Sequence, residues 1–306
     1  MDGPQRRLSL PPGYRLPRRG PSRAKVFRRR LAALVVLAGL VLLAYGAVRY
    51  ALDRHSASSA PVTTVVQPLN IVFPEGFTRR EMAQRIAEVN AIARSKRDVE
   101  PLLSPTGFMR LTESSPIPGR YAGDGRARSL EGFLFPATYQ FLGSTTTRQL
   151  VDKQLAAFRR NWHKLDLRYA SSKNLTPYDV LTIASMVEKE TLAPEERSIV
   201  AAVIYNRLHE HMPLGIDATL RYGLNLAPTE ALGPYIGSRN RYNTRRYQGL
   251  PPTPIANPGL ASMQAAAHPA KVGYLYFLRK PDKVHHYFTR SYADFVAHER
   301  AWGYIK

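Results

Sequence analysis

The stretch LTIASMVEKETLAPEERSIVAAVIYNRL, residues 181–208, places two glutamates, Glu188 and Glu190, at the end of an otherwise apolar helix. Carboxyl groups can give a proton to a glycosidic oxygen and recover it, so their geometry decides what chemistry is open to them. With Val180 as origin and 100° per residue, Ile183, Ala184 and Val187 gather on one apolar stripe, while Glu188 falls at about 80° and Glu190 at about 280°. The two flank the stripe on opposite sides, and Lys189 between them points to solvent. They are therefore not the paired carboxylates that most glycosidases use. Periodicity does not choose between them. Glu190 lies in the last turn before Pro194, where the negative end of the helix dipole disfavours further negative charge; that raises its pKa and suits a general acid at neutral pH. The alternative is a pair of solvated helix-end glutamates.

In the following helix Ile199, Val203 and Asn206 share a face, so a carboxamide that needs hydrogen-bond partners sits among apolar side chains. It either pins the corner between the helices or presents donors to a sugar N-acetyl group. Asp217 in LGIDATLRYG and the stretch RYNTRRYQGLPPTPIANPG, residues 241–259, supply Tyr, Asn and Arg from loops, side chains that stack on sugar rings and bond their hydroxyls. Other chemistries lack their residues. His209/His211 and His285/His286 have no metal-ligand spacing, so neither metal nor cofactor is expected. The sequence has no Gly-x-Ser-x-Gly elbow or phosphate loop, and the absence of cysteine excludes a thiol nucleophile.

These residues need elements to hold them. TRRE at residues 78–81 has capping-box spacing and opens a helix through about Ala93, after a short strand in LNIVFPEGF. Further helices are expected near residues 105–113, from about Thr146 to Leu165, from the Thr176 cap with Pro177 at the first helical position, and from Pro194 onward. LEGFLFPATYQF, residues 130–141, is expected as a buried turn and strand. Residues 213–261 form a long, functional loop region, LASMQAAAHP a short helix, residues 272–289 a hairpin turning at Pro281-Asp282, and Ser291 with Asp294 caps a last helix. The fold class is α+β, with central helices and flanking strands.

The 306 residues carry a net charge of +21. Residues 1–30 hold ten Arg or Lys against Asp2 alone and form a basic, disordered tail; on anionic lipid it needs no nucleic acid as partner. LAALVVLAGLVLLAYGAV, residues 31–48, is uncharged and about 27 Å long as a helix, enough to cross a bilayer. The positive-inside bias puts the N-terminus in the cytoplasm and the bulk of the chain outside, on a single span in the cell membrane; a cleaved signal peptide is the alternative. The expected organisation is a tail at 1–30, a transmembrane helix at 31–50, a linker at 51–68 and a folded domain at 69–306.

In FPEGFTRREMAQRIA, LEGFLFPATYQF, LTIASMVEKET, ERSIVAAVIYNRL, YNTRRYQGLPPTPIANPG, AAAHPAKVGYLYFL and HHYFTRSYADF, taken in order, the chain resembles the endolytic murein transglycosylases of the YceG-like (MltG) family. The resemblance implies a single-pass membrane lyase that cuts nascent peptidoglycan strands between N-acetylmuramic acid and N-acetylglucosamine. Its catalytic glutamate is the second of EKET, here Glu190, and its products end in 1,6-anhydro-N-acetylmuramic acid. The resemblance also implies that Asn206, Asp217, Tyr242 and Asn243 line the substrate cleft and that peptidoglycan synthases are possible partners. A non-catalytic, membrane-anchored peptidoglycan-binding scaffold is the competing function. The chain departs from the family pattern in having only some twenty residues between the apolar segment and FPEG, too few for the LysM-like module many members carry, and in Ala218, Thr253 and Phe295.

Overall fold

The computed structural model describes residues 23–57, 68–227 and 229–305. Most of the expected tail and linker, residues 1–22 and 58–67, lies outside the described residues. The chain divides into two compact units, Met1–Val65 and Val66–Lys306. The first contains one helix, α1 (Arg23–Ala57), the longest among the described residues and, by length and composition, the one sufficient to cross a bilayer among them. It outruns the expected 31–50 span at both ends, because Arg, Lys and Ala on its flanks are good helix formers.

The second unit is mixed helix and strand. In chain order its elements are β1 (Leu69–Val72), α2 (Arg79–Arg97), α3 (Pro105–Leu111), α4 (Pro116–Ala122), β2 (Thr138–Phe141), α5 (Thr147–Trp162), α6 (Arg168–Ser172), α7 (Pro177–Glu190), α8 (Arg197–His209), α9 (Asp217–Leu224), α10 (Leu260–Ala267), β3 (Tyr276–Arg279), β4 (His286–Thr289) and α11 (Tyr292–Ala301). β1 pairs antiparallel with β2, Leu69 opposite Phe141, and β3 pairs antiparallel with β4, Tyr276 opposite Thr289. The strands sit on the flanks of a helical centre.

Local chemistry starts the helices where expected. Thr78, Thr146 and Thr176 each accept the backbone N–H three residues on, and Glu81, Gln149 and Asp179 answer with their own side chains, so α2, α5 and α7 all open on reciprocal caps. Pro194 ends α7 and begins a short 3-10 turn (Pro194–Glu196) that runs into α8. α9 and α4 were not legible in advance: α9 hides in a stretch rich in Gly, Asn and Tyr and starts without a side-chain cap bond.

α7 is the central element. Tyr178 and every residue from Val180 to Val187 are buried, and the helix packs against α10, α8, α4 and α9. Beside it the LEGFLFPATYQF segment turns at Gly132, whose φ of 89° and close approach to Pro254 leave no room for a side chain. That turn drives Phe133 into the core, with ring centroids 4.9 Å from Phe158, 5.1 Å from Tyr121 and 6.2 Å from Tyr178. Phe133 is fully buried, whereas Leu192 just past α7 is 61% exposed. Urea unfolding should therefore show Phe133→Ala losing about 3–5 kcal/mol, the usual cost of emptying an aromatic core site, and Leu192→Ala changing stability by less than about 0.5 kcal/mol. Similar losses in the two variants would contradict this account of the core.

Candidate active site

The last turn of α7 delivers its two glutamates to different places, as the helical spacing requires. The Glu188 Oε2 accepts the backbone N–H of Gly259 at 3.0 Å and so caps the start of α10. Glu75 presses on the same Gly259, leaving no space for a Cβ, and its carboxyl is held above the ordinary range by burial and by Glu188. Lys189 between the two glutamates is exposed and reaches the Gly76 carbonyl at 3.3 Å.

Glu190, on the other side of the helix, lines a cleft of about 1440 Å3. Ordinary small-molecule pockets hold about 300–1,000 Å3, so this space fits an extended ligand. Burial, and after it the charge of Asp217, push the Glu190 carboxyl up to about 7. Arg279, the backbone N–H of Ala218 in the first turn of α9, and Arg245 pull the other way. The cause differs from the expected one: enclosure dominates, and the first turn of α9 reaches the carboxylate with the Ala218 N–H, which favours its charge. Arg279 also donates to the Glu190 carbonyl at 3.0 Å, fixing the end of α7 to β3.

Asp217 lines the same cleft and pairs with Arg245, Nε to Oδ1 at 2.8 Å. The other three expected cleft residues do not stand on its wall; they brace the segments behind it. Asn206 spends its amide on the carbonyls of Val272 and Tyr274, at 2.9 and 2.8 Å, and ties α8 to the approach to β3. Asn243 is fully buried and holds the carbonyls of Ile236 and Ser238, both at 2.8 Å. Tyr242 bonds the Thr253 hydroxyl at 2.8 Å and backs the ring of Tyr222, which does face the cleft. The pinning role, open in the sequence for Asn206, is the one its donors perform.

Two buried carboxylates that were not expected as site residues join elements behind the cleft. Glu131 accepts the Arg79 N–H at 3.0 Å, the Asn257 amide at 2.8 Å and the Tyr222 hydroxyl at 3.1 Å, joining the start of α2, the loop before α10 and α9. Burial outweighs these donors and pushes its carboxyl up to about 7. Glu196 accepts the His286 backbone N–H at 2.9 Å and meets its Nδ1 at 2.7 Å, fastening the β3–β4 hairpin to the corner between α7 and α8. Burial holds the His286 imidazole below its usual range, against the pull of Glu196. Among the described residues no group of three or more His, Asp or Glu is placed to hold a metal ion. The cleft's chemistry is thus a single enclosed acid with a raised pKa, ringed by arginines and tyrosines.

A profile of the YceG-like family matches residues 23–301. An endolytic murein transglycosylase of Streptococcus pneumoniae (strain ATCC BAA-255 / R6) is 32% identical over 259 residues, covering 79% of this chain and 45% of that protein. One of Bacillus subtilis (strain 168) is 36% identical over 151 residues, covering 49% of this chain and 42% of its own length. The chain therefore spans somewhat under half the length of the curated relatives it matches. The crystal structure of a YceG-like protein from Listeria monocytogenes superposes with a TM-score of 0.60 at 29% identity, over 76% of each chain.

The raised Glu131 carboxyl has a consequence for stability. Its folded pKa of about 7 exceeds the ordinary 4.5, so between those values the folded state keeps a proton that the unfolded chain has lost, and stability falls as pH rises through the window. Urea unfolding between pH 5 and pH 8 should show a smaller decline in Glu131→Gln than in the wild type. Parallel pH profiles would mean that Glu131 does not titrate there.

Proposed function

The chain belongs to the YceG-like family, and on that premise we propose that it is a membrane-anchored endolytic murein transglycosylase with Glu190 as its only general acid and base. The observation that carries the reading is the position of Glu190: an enclosed carboxyl, pushed up to about 7, on the wall of a cleft large enough for a glycan strand. Near neutral pH such a group is present in both protonation states, which a residue that must first donate and then accept requires. Helix α1 supports the anchor, with a cytoplasmic N-terminus following from the Arg-rich flank.

In the first step Glu190 gives its proton to the oxygen that links N-acetylmuramic acid C1 to the next N-acetylglucosamine, and the C1–O bond breaks with its electrons on the departing hydroxyl. The positive charge left at C1 is met by the substrate's own N-acetyl group, as in substrate-assisted glycosidases. The Glu190 carboxylate now has the Ala218 N–H, Arg279 and Arg245 to stabilise it. It then takes the proton of the C6 hydroxyl as O6 closes on C1, which gives the 1,6-anhydro ring and returns Glu190 to its acid form. Asp217 keeps Glu190 protonated by its charge and is held in place by Arg245. Asn206, Tyr242 and Asn243 support the cleft from behind through the bonds described above.

Muropeptides released by the purified chain should carry 1,6-anhydro ends by mass spectrometry, and Glu190→Gln should cost about 10²- to 10⁴-fold in rate. The rate of the first step should fall as pH rises above about 7, where Glu190 loses its proton. Hydrated reducing ends would assign the attack to water instead, full activity in Glu190→Gln would remove Glu190 from the acid's role, and full complementation of a deletion strain by an inactive Glu190→Gln chain would favour the binding scaffold.

A further inference from the structure

Two doublets in the sequence take no part in the reaction as described: Glu195-Glu196 at the corner between α7 and α8, and His285-His286 at the head of β4. The fold brings them together. His285 lies with its Nε2 3.4 Å from Glu195 Oε1 and its Nδ1 2.9 Å from Asp282 Oδ2, both in the open, where such pairs add little. The other pair is enclosed. Glu196 and His286 are only 6% and 4% exposed, and the one carboxylate accepts the His286 backbone N–H and meets its ring. A buried carboxylate with its hydrogen bonds made is hard to move, so this contact fixes the strand relative to the corner.

The strand position matters because of what stands across the ladder. His286 is directly opposite Arg279, and opposite residues of an antiparallel pair project from the same face. Both line the cleft, as does Phe277, whose ring meets the His286 imidazole edge-on at 5.3 Å. Arg279 is also the cation that bonds the Glu190 carbonyl and acts on its carboxylate. The charged groups acting on His286 are Glu196, Arg279 and Asp282, and those acting on Glu190 are Asp217, Arg279 and Arg245, so Arg279 belongs to both sites. A two-stranded hairpin is marginal by itself and takes its position from its ties. Asn206 and Arg207 of α8 hold its approach, through the carbonyls of Val272, Tyr274 and Leu275. Glu196 holds its turn end, where the Tyr304 hydroxyl adds an exposed bond to the Arg279 carbonyl.

We propose that Glu196 is a positioning residue for the reaction: through His286 it holds the β3–β4 hairpin so that the Arg279 guanidinium stays beside Glu190. The proposal rests on the assignment of Glu190 as the acid. A cation held in place favours the carboxylate that remains after proton donation. Without Glu196 the acid keeps its place on α7 but loses part of that support. The sign of the effect separates positioning from direct electrostatics. Loss of a negative charge lowers the pKa of a neighbouring carboxyl, whereas withdrawal of a positive charge raises it.

The test follows the titration of Glu190 without substrate, in the full chain in detergent with glutamate labelled with 13C at the side-chain carboxyl. Glu196→Leu and Glu196→Asp should each raise the Glu190 midpoint by about 0.5 pH unit or more, the direction expected of Arg279→Gln. Combined with Arg279→Gln, Glu196→Asp should add little, because both act through the same guanidinium. Glu196→Asp keeps the charge on an arm one carbon shorter, so its shift reports position alone and is read even where Glu196→Leu does not fold. Glu196→Gln loses the charge but keeps an acceptor for the His286 N–H, and should leave the Glu190 midpoint where it is in the wild type. Circular dichroism checks that each variant is folded. A Glu190 midpoint unchanged or lowered in folded Glu196→Asp, additive shifts in the double variant, or no shift in Arg279→Gln overturns the proposal. With no glycan present, the result is independent of product chemistry: loss of the 1,6-anhydro assignment leaves it standing, and its failure leaves the role of Glu190 intact.

Discussion

Everything at the cleft depends on how a 3.6-residue helix separates two carboxylates that are two positions apart. Because Glu188 and Glu190 leave α7 on opposite sides, one is committed to capping α10 through Gly259 while the other is free to face the cleft. The helix can do this only because its other faces are buried: from Val180 to Val187 it has no exposed side chain. A rotation of α7 that moved Glu190 would expose that apolar surface and break the cap of α10. Packing, more than any bond to the carboxylate itself, sets where the acid sits.

Burial of charge is the cost of this arrangement, and the molecule distributes it unevenly. Glu196 is enclosed but has His286 as a partner at 2.7 Å, so it makes a fastening between the hairpin and the α7–α8 corner. Glu131 is enclosed with three donors and still titrates well above an ordinary glutamate. Glu190 has no comparable set of donors: a single backbone N–H and two arginines act on its charged form, against burial and Asp217. An acid left less satisfied than its neighbours is one whose proton can be moved. The same arginines that fail to hold it fully ionised are those that would stabilise its carboxylate in the proposed reaction.

The sequence made legible those parts of the fold that local chemistry dictates. Thr78 with Glu81 and Thr176 with Pro177 announced two helix starts, Pro194 the corner, and Pro281-Asp282 the hairpin turn, since caps and breakers act within a few residues. The opposite placement of Glu188 and Glu190 followed from the wheel alone. What remained hidden was long-range. Glu131 lies in a segment that was expected as core for its aromatics, and nothing local reveals partners 52, 91 and 126 residues away. Helix α9 was hidden in loop-like composition, so the Ala218 N–H that reaches Glu190 was hidden with it. For the same reason the raised pKa was expected from the dipole of α7, whereas enclosure by distant elements is its main cause. Asn206 and Asn243 were legible as polar residues in need of partners, but only the fold shows that their partners are backbone carbonyls.

The central claim is that Glu190 is an acid tuned by enclosure, and its own titration tests this most directly. In protein carrying glutamate labelled with 13C at the side-chain carboxyl, comparison of the wild type with Glu190→Gln identifies the Glu190 resonance. The account predicts that this resonance titrates at about 7. A midpoint near 4.5, the value of an ordinary glutamate, would contradict it.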